Sequence, residues 1–476
     1  MNASTNWPKP GLPLHDLSGR APFRADPHRD ALLDATVRGT IPDWLRGELV
    51  RTTPAVFASG AWQAHHWFDG LGMLYAFRVG QGVTYRQRLM ESQVALAARE
   101  GRSPRASFGS PIVRGFWKRL FSPIPDVTDN TNVHIVALGD ERVALTEGPY
   151  QWATDRETLA VTKRVEYRDG HGALAMLAHP HFDFARNRVV NLGTRIGAKT
   201  EIALFEHAPD SRQREVLARI PVKRLPYLHA FGLTARHAIV IGHPFTVNPL
   251  SLLWSNRGFI DHFEYRPEDG TTLWVVDRTS GAVRRHAAPA GFVFHVVNAF
   301  EADGATSIDL ALYPDAGIVA ALSTASLAER GLPDLSPSIV RFTVREGVHE
   351  AKVETLASLG FEFPSVNYKQ MSGHRHAVAW GARLTAGATR SSIVRFATDE
   401  RAFEDPAFGF GEPVFVARPG AQREDDGILL TVGAHSSENR SALAILDAAT
   451  LDVLAWAEVP LAIPLGFHGS FFRGHA

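Results

Sequence analysis

Four histidines sit where histidine is unusual. His179 lies in LAHPHFD, His229 in PYLHAFGLT, His295 in FVFHVVNAFE and His468 in LGFHGSFF, each among apolar residues or glycines. Neutral imidazole is the commonest metal ligand in proteins, and four of them suit iron(II), zinc(II) or copper(II) by ligand type. Each could equally be a core histidine satisfied by a backbone carbonyl, and residue type alone leaves both readings open. The four lie far apart in the chain, without the short separation of two ligands on one helix face. They can meet only if each comes from a different strand system converging on one axis. Three glutamates strengthen the metal reading. Glu147 ends the apolar run RVALTEG, Glu362 stands between phenylalanines in LGFEFPSVN, and Glu424 leads EDDGILLTV into an apolar strand. A carboxylate in such surroundings is costly unless paired. A metal-bound imidazole has a spare N–H for which a carboxylate is a common partner. His15, His28, His207, His349, His374 and His376 sit among polar residues and are expected at the surface. His66 and Asp69 in HHWFDG are catalytic types, but Asp69-Gly70 reads as a tight turn and the motif as structural.

The elements that must position these residues are mostly strands. Short Val-, Ile-, Leu-, Phe- and Thr-rich runs recur between Gly, Asp, Asn and Pro, and DRTSGAV and LDAATLDVL have the form of strand, tight turn, strand. Helical periodicity is scarce, with candidates around 112–121 and 249–263. No linker or charge block divides the chain, so residues 1–476 read as a single domain. No repeat of fixed period is visible, yet a propeller with diverged blades fits the pattern. With 476 residues, 45% of them hydrophobic, a large core is available. Fifty basic against fifty acidic residues give no electrostatic case for nucleic acid. The absence of cysteine excludes disulfides, zinc–thiolate sites, iron–sulfur clusters and thiol nucleophiles. A cytoplasmic protein is expected: the first residues lack a secretory pattern, and no apolar run approaches the ~20 residues of a membrane span.

The pieces HHWFDGLGML, TDNTNV, ALTEG, AHPHFD, LHAFGLT, FHVVNAFE, FEFPSVN, EDDGILL and GFHGSFF occur in that order along nearly the whole chain. Together they make it resemble the carotenoid cleavage oxygenase family. The resemblance implies an all-β fold, a seven-bladed β-propeller with a cap of loops and short helices over an axial iron(II). Segments 104–126 and 244–264 would contribute to that cap. The metal ligands would be His179, His229, His295 and His468. Glu147 would pair with His229, Glu362 with His295 and Glu424 with His468, leaving His179 without a carboxylate. The C-terminal phenylalanines Phe467, Phe471 and Phe472 would then be buried because His468 closes the metal site. Phe108, Thr146 and Phe294 would line the substrate cavity.

The implied reaction uses O2 to split one conjugated C=C bond of a carotenoid or apocarotenoid into two carbonyl products. The alternatives are cleavage of a stilbene, or isomerisation or isomerohydrolysis of a retinoid or carotenoid with the same iron as Lewis acid. Motifs such as FDGLGMLYAFRV resemble the animal branch. The stilbene-cleaving branch typically has lysine just before the first of the three glutamates, where this chain has Thr146, which favours a polyene. The chain departs from the animal pattern in lacking the cysteine-containing loop after Phe108 and carries GSPIVRGFWKRLFSPIP instead. There Phe116, Trp117, Leu120 and Phe121 alternate with Arg114, Lys118 and Arg119, a stretch suited either to capping the propeller or to peripheral contact with a bilayer interface.

Overall fold

The computed structural model describes residues 17–474 apart from 18–19, 26–29, 61, 103–105, 113–114, 122–125, 173, 198 and 386–389. His15, His28 and Arg114 therefore lie outside the described residues, as do the side chains of Lys118 and Arg119. Nearly all regular structure is antiparallel sheet. Seven sheets of four to six strands follow one another along the chain as the blades of a propeller. The first is built on Gly47–Val56 and Leu71–Val79, and the second runs from His134–Leu138 to Val161–Arg164. The third is centred on Arg188–Arg195 and the fourth on His237–Gly242. The fifth begins with Phe292–Ala302, the sixth with Glu362–Ser365, and the seventh is centred on Gly427–His435.

Both ends of the described chain complete blades built elsewhere. Gly469–Arg473 pairs with Gly47–Arg51 as the inner edge of the first blade, and Thr36–Gly39 pairs with the strand Val453–Val459 of the seventh. Each blade touches the next. Ser470 Oγ donates to the Ile135 carbonyl between first and second, and Gly148 bridges Met176 between second and third. One ring nitrogen of His181 faces the Phe231 carbonyl between third and fourth, and Gly232 abuts Ala299 and Ile308 between fourth and fifth. Phe300 bridges Gly373 between fifth and sixth. Arg51 donates to the Glu412 carbonyl between seventh and first.

The blades have no common sequence period, but three share a turn. Between the third and fourth strands of the second, fourth and seventh blades, an aspartate Oδ1 accepts from the backbone and hydroxyl of a residue three positions on. The pairs are Asp155 with Thr158, Asp277 with Ser280 and Asp447 with Thr450, all at 2.7–3.3 Å. The residue after each takes a left-handed conformation, Leu159 at φ 59°, Gly281 at 72° and Leu451 at 65°. These are the hairpins expected from DRTSGAV and LDAATLDVL, with a third diverged copy in DRETLAV. Aspartate suits this turn because its side chain can satisfy two amides that the tight loop leaves unpaired.

The expected helices are shorter than their periodicity suggests. Only Phe116–Phe121 is α-helical in 112–121, and 249–263 holds the 3-10 turns Pro249–Leu252 and Ile260–His262. Asn256 and Gly258 interrupt the latter segment, where Gly258 presses on the backbone of Gly109. A helix not anticipated, Gln93–Arg99, is capped by Ser92, whose hydroxyl accepts from Ala95 N at 3.1 Å. Among the described residues no helix is long and apolar enough to cross a membrane.

Candidate metal centre

The inner edge of each blade carries the candidate residues, and most stand where the strand ladder is broken. In the third blade the inner strand is split into Ala175–Met176 and His181–Asp183, with His179 between them. In the fifth, pairing skips from Val293 to Val296, and His295 falls in the skip. In the sixth it skips from Glu362 to Ser365, with Phe363 held at φ 55°. In the seventh, Phe408–Phe410 and Val414–Ala417 pair with the same neighbour and leave Glu412 between them. A broken ladder frees a side chain to turn along the axis rather than across the sheet. His229 just precedes the inner strand of the fourth blade, His468 that of the first, and Glu147 follows the second strand of the second. Each blade thus contributes at least one residue to the cluster, as a converging histidine or as a carboxylate behind one.

His179, His229, His295 and His468 converge with their ligating nitrogens all within 4.8 Å of one another. Nε2–Nε2 separations are 3.0 Å for His179–His229, 3.2 Å for His229–His295 and 3.0 Å for His295–His468. Three of the rings are held from behind. His229 Nδ1 donates to Glu147, His295 Nδ1 to Glu362 at 2.5 Å, and His468 Nδ1 to Glu412 at 2.7 Å. Tyr227 adds a 2.9 Å hydrogen bond to the other oxygen of Glu147. Because each Nδ1 carries the proton, each Nε2 presents a lone pair, and these lone pairs point at one another. That arrangement is unfavourable unless a cation lies between them.

The spacing suits a metal. Two nitrogens each about 2.1 Å from a metal are about 3.0 Å apart when at right angles and about 3.4 Å apart in a tetrahedron. The observed separations lie nearer the right-angled case, so the four nitrogens would fit around a single ion. Burial first, then the neighbouring imidazoles, hold His179 and His468 well below the ordinary histidine range, so both are neutral donors near neutral pH. Burial raises the Glu412 carboxyl, and the Arg51 guanidinium opposes that shift from 3.2 Å.

One assignment is corrected. Glu424 does not reach His468. Its carboxylate accepts from the backbone N–H groups of Ala377 and Val378, stitching the seventh blade to the sixth. Glu412 takes the place at His468 and also accepts from Gly469 N at 3.0 Å. The signal for it was present: in GFGEPVF it is an isolated carboxylate among aromatics, like Glu362. Glu147 and Glu362 lie at His229 and His295, and among the described residues no carboxylate bonds to the ring of His179. The site also contains a residue not anticipated. His134 opens the inner strand of the second blade, its ring centroid 5.5 Å from that of His179 and 5.4 Å from that of His468.

Of the histidines expected at the surface, His349 and His374 are exposed and His376 is half-buried. His207 is buried against Tyr167, because its alternate-facing position on Glu201–His207 points inward. HHWFDG is structural as read. His66 caps the turn Trp67–Asp69, and buried Asp69 accepts from Phe108 N, Gly109 N and Ser110 Oγ at 2.7–3.0 Å. It thereby holds the loop that carries Phe108.

A cavity of about 320 Å3 lies beside His229, His295 and His468, within the range of small-ligand sites. Phe108, Thr146 and Phe294 all line it, with Tyr227, Phe363 and Phe467. Phe294 packs on His229 with centroids 5.6 Å apart, and Phe68 ties Phe108 to Phe294. Of the terminal phenylalanines only Phe467 is fully buried; Phe471 and Phe472 are half-buried, the latter under Arg142.

Residues 22–473 match the family model described as retinal pigment epithelial membrane protein. A mitochondrial carotenoid-cleaving dioxygenase of Pongo abelii is 28% identical, with 92% of each chain covered. A β,β-carotene 15,15'-dioxygenase of Rattus norvegicus is 29% identical over 92% of this chain and 89% of the relative. A carotenoid isomerooxygenase of Galleria mellonella is also 29% identical, over 92% of this chain and 93% of the relative. Among solved structures, the cobalt-substituted apocarotenoid oxygenase of Synechocystis superposes with a TM-score of 0.83 at 25% identity, covering 95% of this chain and 98% of that one.

Proposed function

Because the chain belongs to the retinal pigment epithelial membrane protein family, we propose that it is an iron(II) dioxygenase that cleaves a conjugated C=C bond of a carotenoid or apocarotenoid. The observation that carries this reading is the set of four imidazole nitrogens facing one another beside an aromatic-lined cavity. His179, His229, His295 and His468 would hold the metal. Iron(II), when bound, supplies the chemistry that activates O2, one oxygen atom going to each carbonyl product. The chain's own residues do the rest. Glu147, Glu362 and Glu412 fix the tautomer and ring orientation of three ligands and make them more electron-rich. Phe108, Phe294 and Phe467 exclude water and hold an extended apolar substrate alongside the metal. Thr146, 5% exposed, offers no charge to bind a phenolate and so supports a polyene over a hydroxystilbene.

The test is a product assay by mass spectrometry with iron-loaded protein in air, offered β-carotene, an apocarotenal or a hydroxystilbene, with His295→Ala in parallel. Paired carbonyl fragments from a polyene, absent in the variant, are expected. Cleavage of the stilbene alone overturns the substrate assignment. Turnover of a polyene without O2 and without cleavage replaces the dioxygenase with an isomerase.

We also propose that the cap meets a membrane peripherally, in a cytoplasmic protein. Phe116, Trp117, Leu120 and Phe121 are 50–79% exposed, as are Leu250 at 71% and Trp254 at 57%. The two groups adjoin, since Ile112 N donates to Asn256 O and Ile260 N to Phe108 O, both at 2.9 Å. Ile112 and Leu252, in the same segments, line the cavity. Exposed apolar side chains on two segments tied together beside a cavity for a membrane-soluble substrate favour this contact.

A further inference from the structure

Three of the four converging histidines are held by carboxylates, and among the described residues none holds His179. Something else must fix it, because an imidazole on a split strand has little ladder to hold its backbone. His134 is placed to do so. Its Nδ1 lies 3.0 Å from the carbonyl of Ala178, the residue immediately before His179, and can only be the donor there. Its backbone is tied in as well. His468 N donates to Val133 O at 3.1 Å, and Ser470 Oγ to Ile135 O at 2.8 Å. The ring also lies against those of His179 and His468.

We propose that His134 is a positioning residue for the metal centre, a strap that sets the backbone beside His179 and His468 and takes at His179 the place that a carboxylate takes at the other three ligands. This rests on the reading of the four histidines as a metal site. It assigns a role to a fifth histidine that does not itself point a nitrogen at the metal position.

Two substitutions separate a hydrogen-bonded strap from mere packing. His134→Phe keeps a ring of similar shape against His179 and His468 and removes both nitrogens. His134→Asn removes the ring but leaves a donor one bond beyond Cγ, as Nδ1 is. Three quantities are measured on each full-length protein: ferrous iron affinity by chelator competition, the electron paramagnetic resonance spectrum of the nitric oxide adduct, and the melting temperature without metal. The expected result is affinity about tenfold weaker in His134→Phe, the usual scale for losing a partner behind a ligand, with a changed spectrum. His134→Asn should recover most of the affinity and the wild-type spectrum. The reverse pattern, Phe tolerated and Asn impaired, overturns the proposal in favour of packing, as does wild-type affinity and spectrum in both. If wild type and His295→Ala bind iron alike, the metal reading itself fails and takes this inference with it.

Discussion

Replacing Glu412 by glutamine should weaken metal binding, and replacing Glu424 by glutamine should not. Glu412 accepts from three donors: His468 Nδ1 at 2.7 Å, Gly469 N at 3.0 Å and Arg51 Nη1 at 3.2 Å. Glutamine has one acceptor oxygen and turns an NH2 toward at least one of them. A hydrogen bond to a charged acceptor contributes about 1.5–3 kcal/mol. Loss of a partner behind a ligand costs about 10–100-fold in metal affinity, or about 1.4–2.7 kcal/mol. The two scales agree, so Glu412→Gln should raise the ferrous dissociation constant at least about tenfold. Arg51, whose side chain is 1% exposed, loses its carboxylate but keeps the carbonyls of Glu412 and Phe467. Global stability should therefore fall by about 3 kcal/mol, the low end for breaking a buried pair. In Glu424→Gln the remaining oxygen can still accept from Ala377 and Val378, so stability should change by about 1 kcal/mol or less, with iron affinity unaltered. Chelator competition for iron and denaturant unfolding of the metal-free proteins measure both quantities. Wild-type iron affinity in Glu412→Gln, or weakened affinity in Glu424→Gln, would refute the assignment of Glu412 to His468.

Three further outcomes are expected. Thr146→Lys buries an ammonium beside Glu147 in the apolar cavity, and should lower kcat/KM for a polyene at least about tenfold; steady-state kinetics reads this. Phe116→Ser combined with Trp117→Ser should reduce co-flotation with phospholipid vesicles at unchanged melting temperature, and flotation equal to wild type would rule out the exposed helix as the contact. His243 meets no hydrogen-bond partner among the described residues, and burial lowers it to about 3, as burial lowers His66 to about 4. Between pH 6.5 and about 4 the unfolded chain binds protons that these buried rings do not, so stability falls as pH falls. His243→Phe should remove about 2 kcal/mol of the stability that the metal-free protein loses between pH 7 and 5, the slope nearing about 1.4 kcal/mol per pH unit only below about pH 5.5, as measured by urea unfolding over that range.

The four histidines stand out because imidazole among Phe, Leu and Gly is unusual, but local context leaves a core histidine equally open, and the ordered motifs of the family resemblance are what single them out as a set. Glu362 was legible for the same reason, between Phe361 and Phe363. Glu412 carries the same signal in a form that its neighbours obscure. Flanking glycine and proline suggest a turn, and nothing local says that this turn is a gap in an inner strand. Glu424 misled because an acidic run leading into an apolar strand looks the same whether its carboxylate caps a neighbouring blade or a ligand. His134 could not be found by local context at all. It begins an ordinary alternating strand, and its meaning depends on Ala178 and His468, both distant in sequence. The blade repeat was hidden likewise, since an aspartate turn tolerates almost any residue at the positions between its hydrogen-bonding partners.

The inner strand that follows His468 docks on Gly47–Arg51, and the other three ligands belong to the third, fourth and fifth blades. An ion gripping all four therefore spans the junction between the beginning and the end of the ring, a loop of most of the chain. Closing so long a loop is entropically costly and slow. The ion thus acts as a cross-link on circularity. Its departure should loosen first the pairing of Gly469–Arg473 with Gly47–Arg51 that closes the first blade, leaving the ladders of the other six blades intact. Metal loss would then be recorded in the order of opening, with amides paired between Gly47–Arg51 and Gly469–Arg473 exchanging with solvent before those of the other six blades.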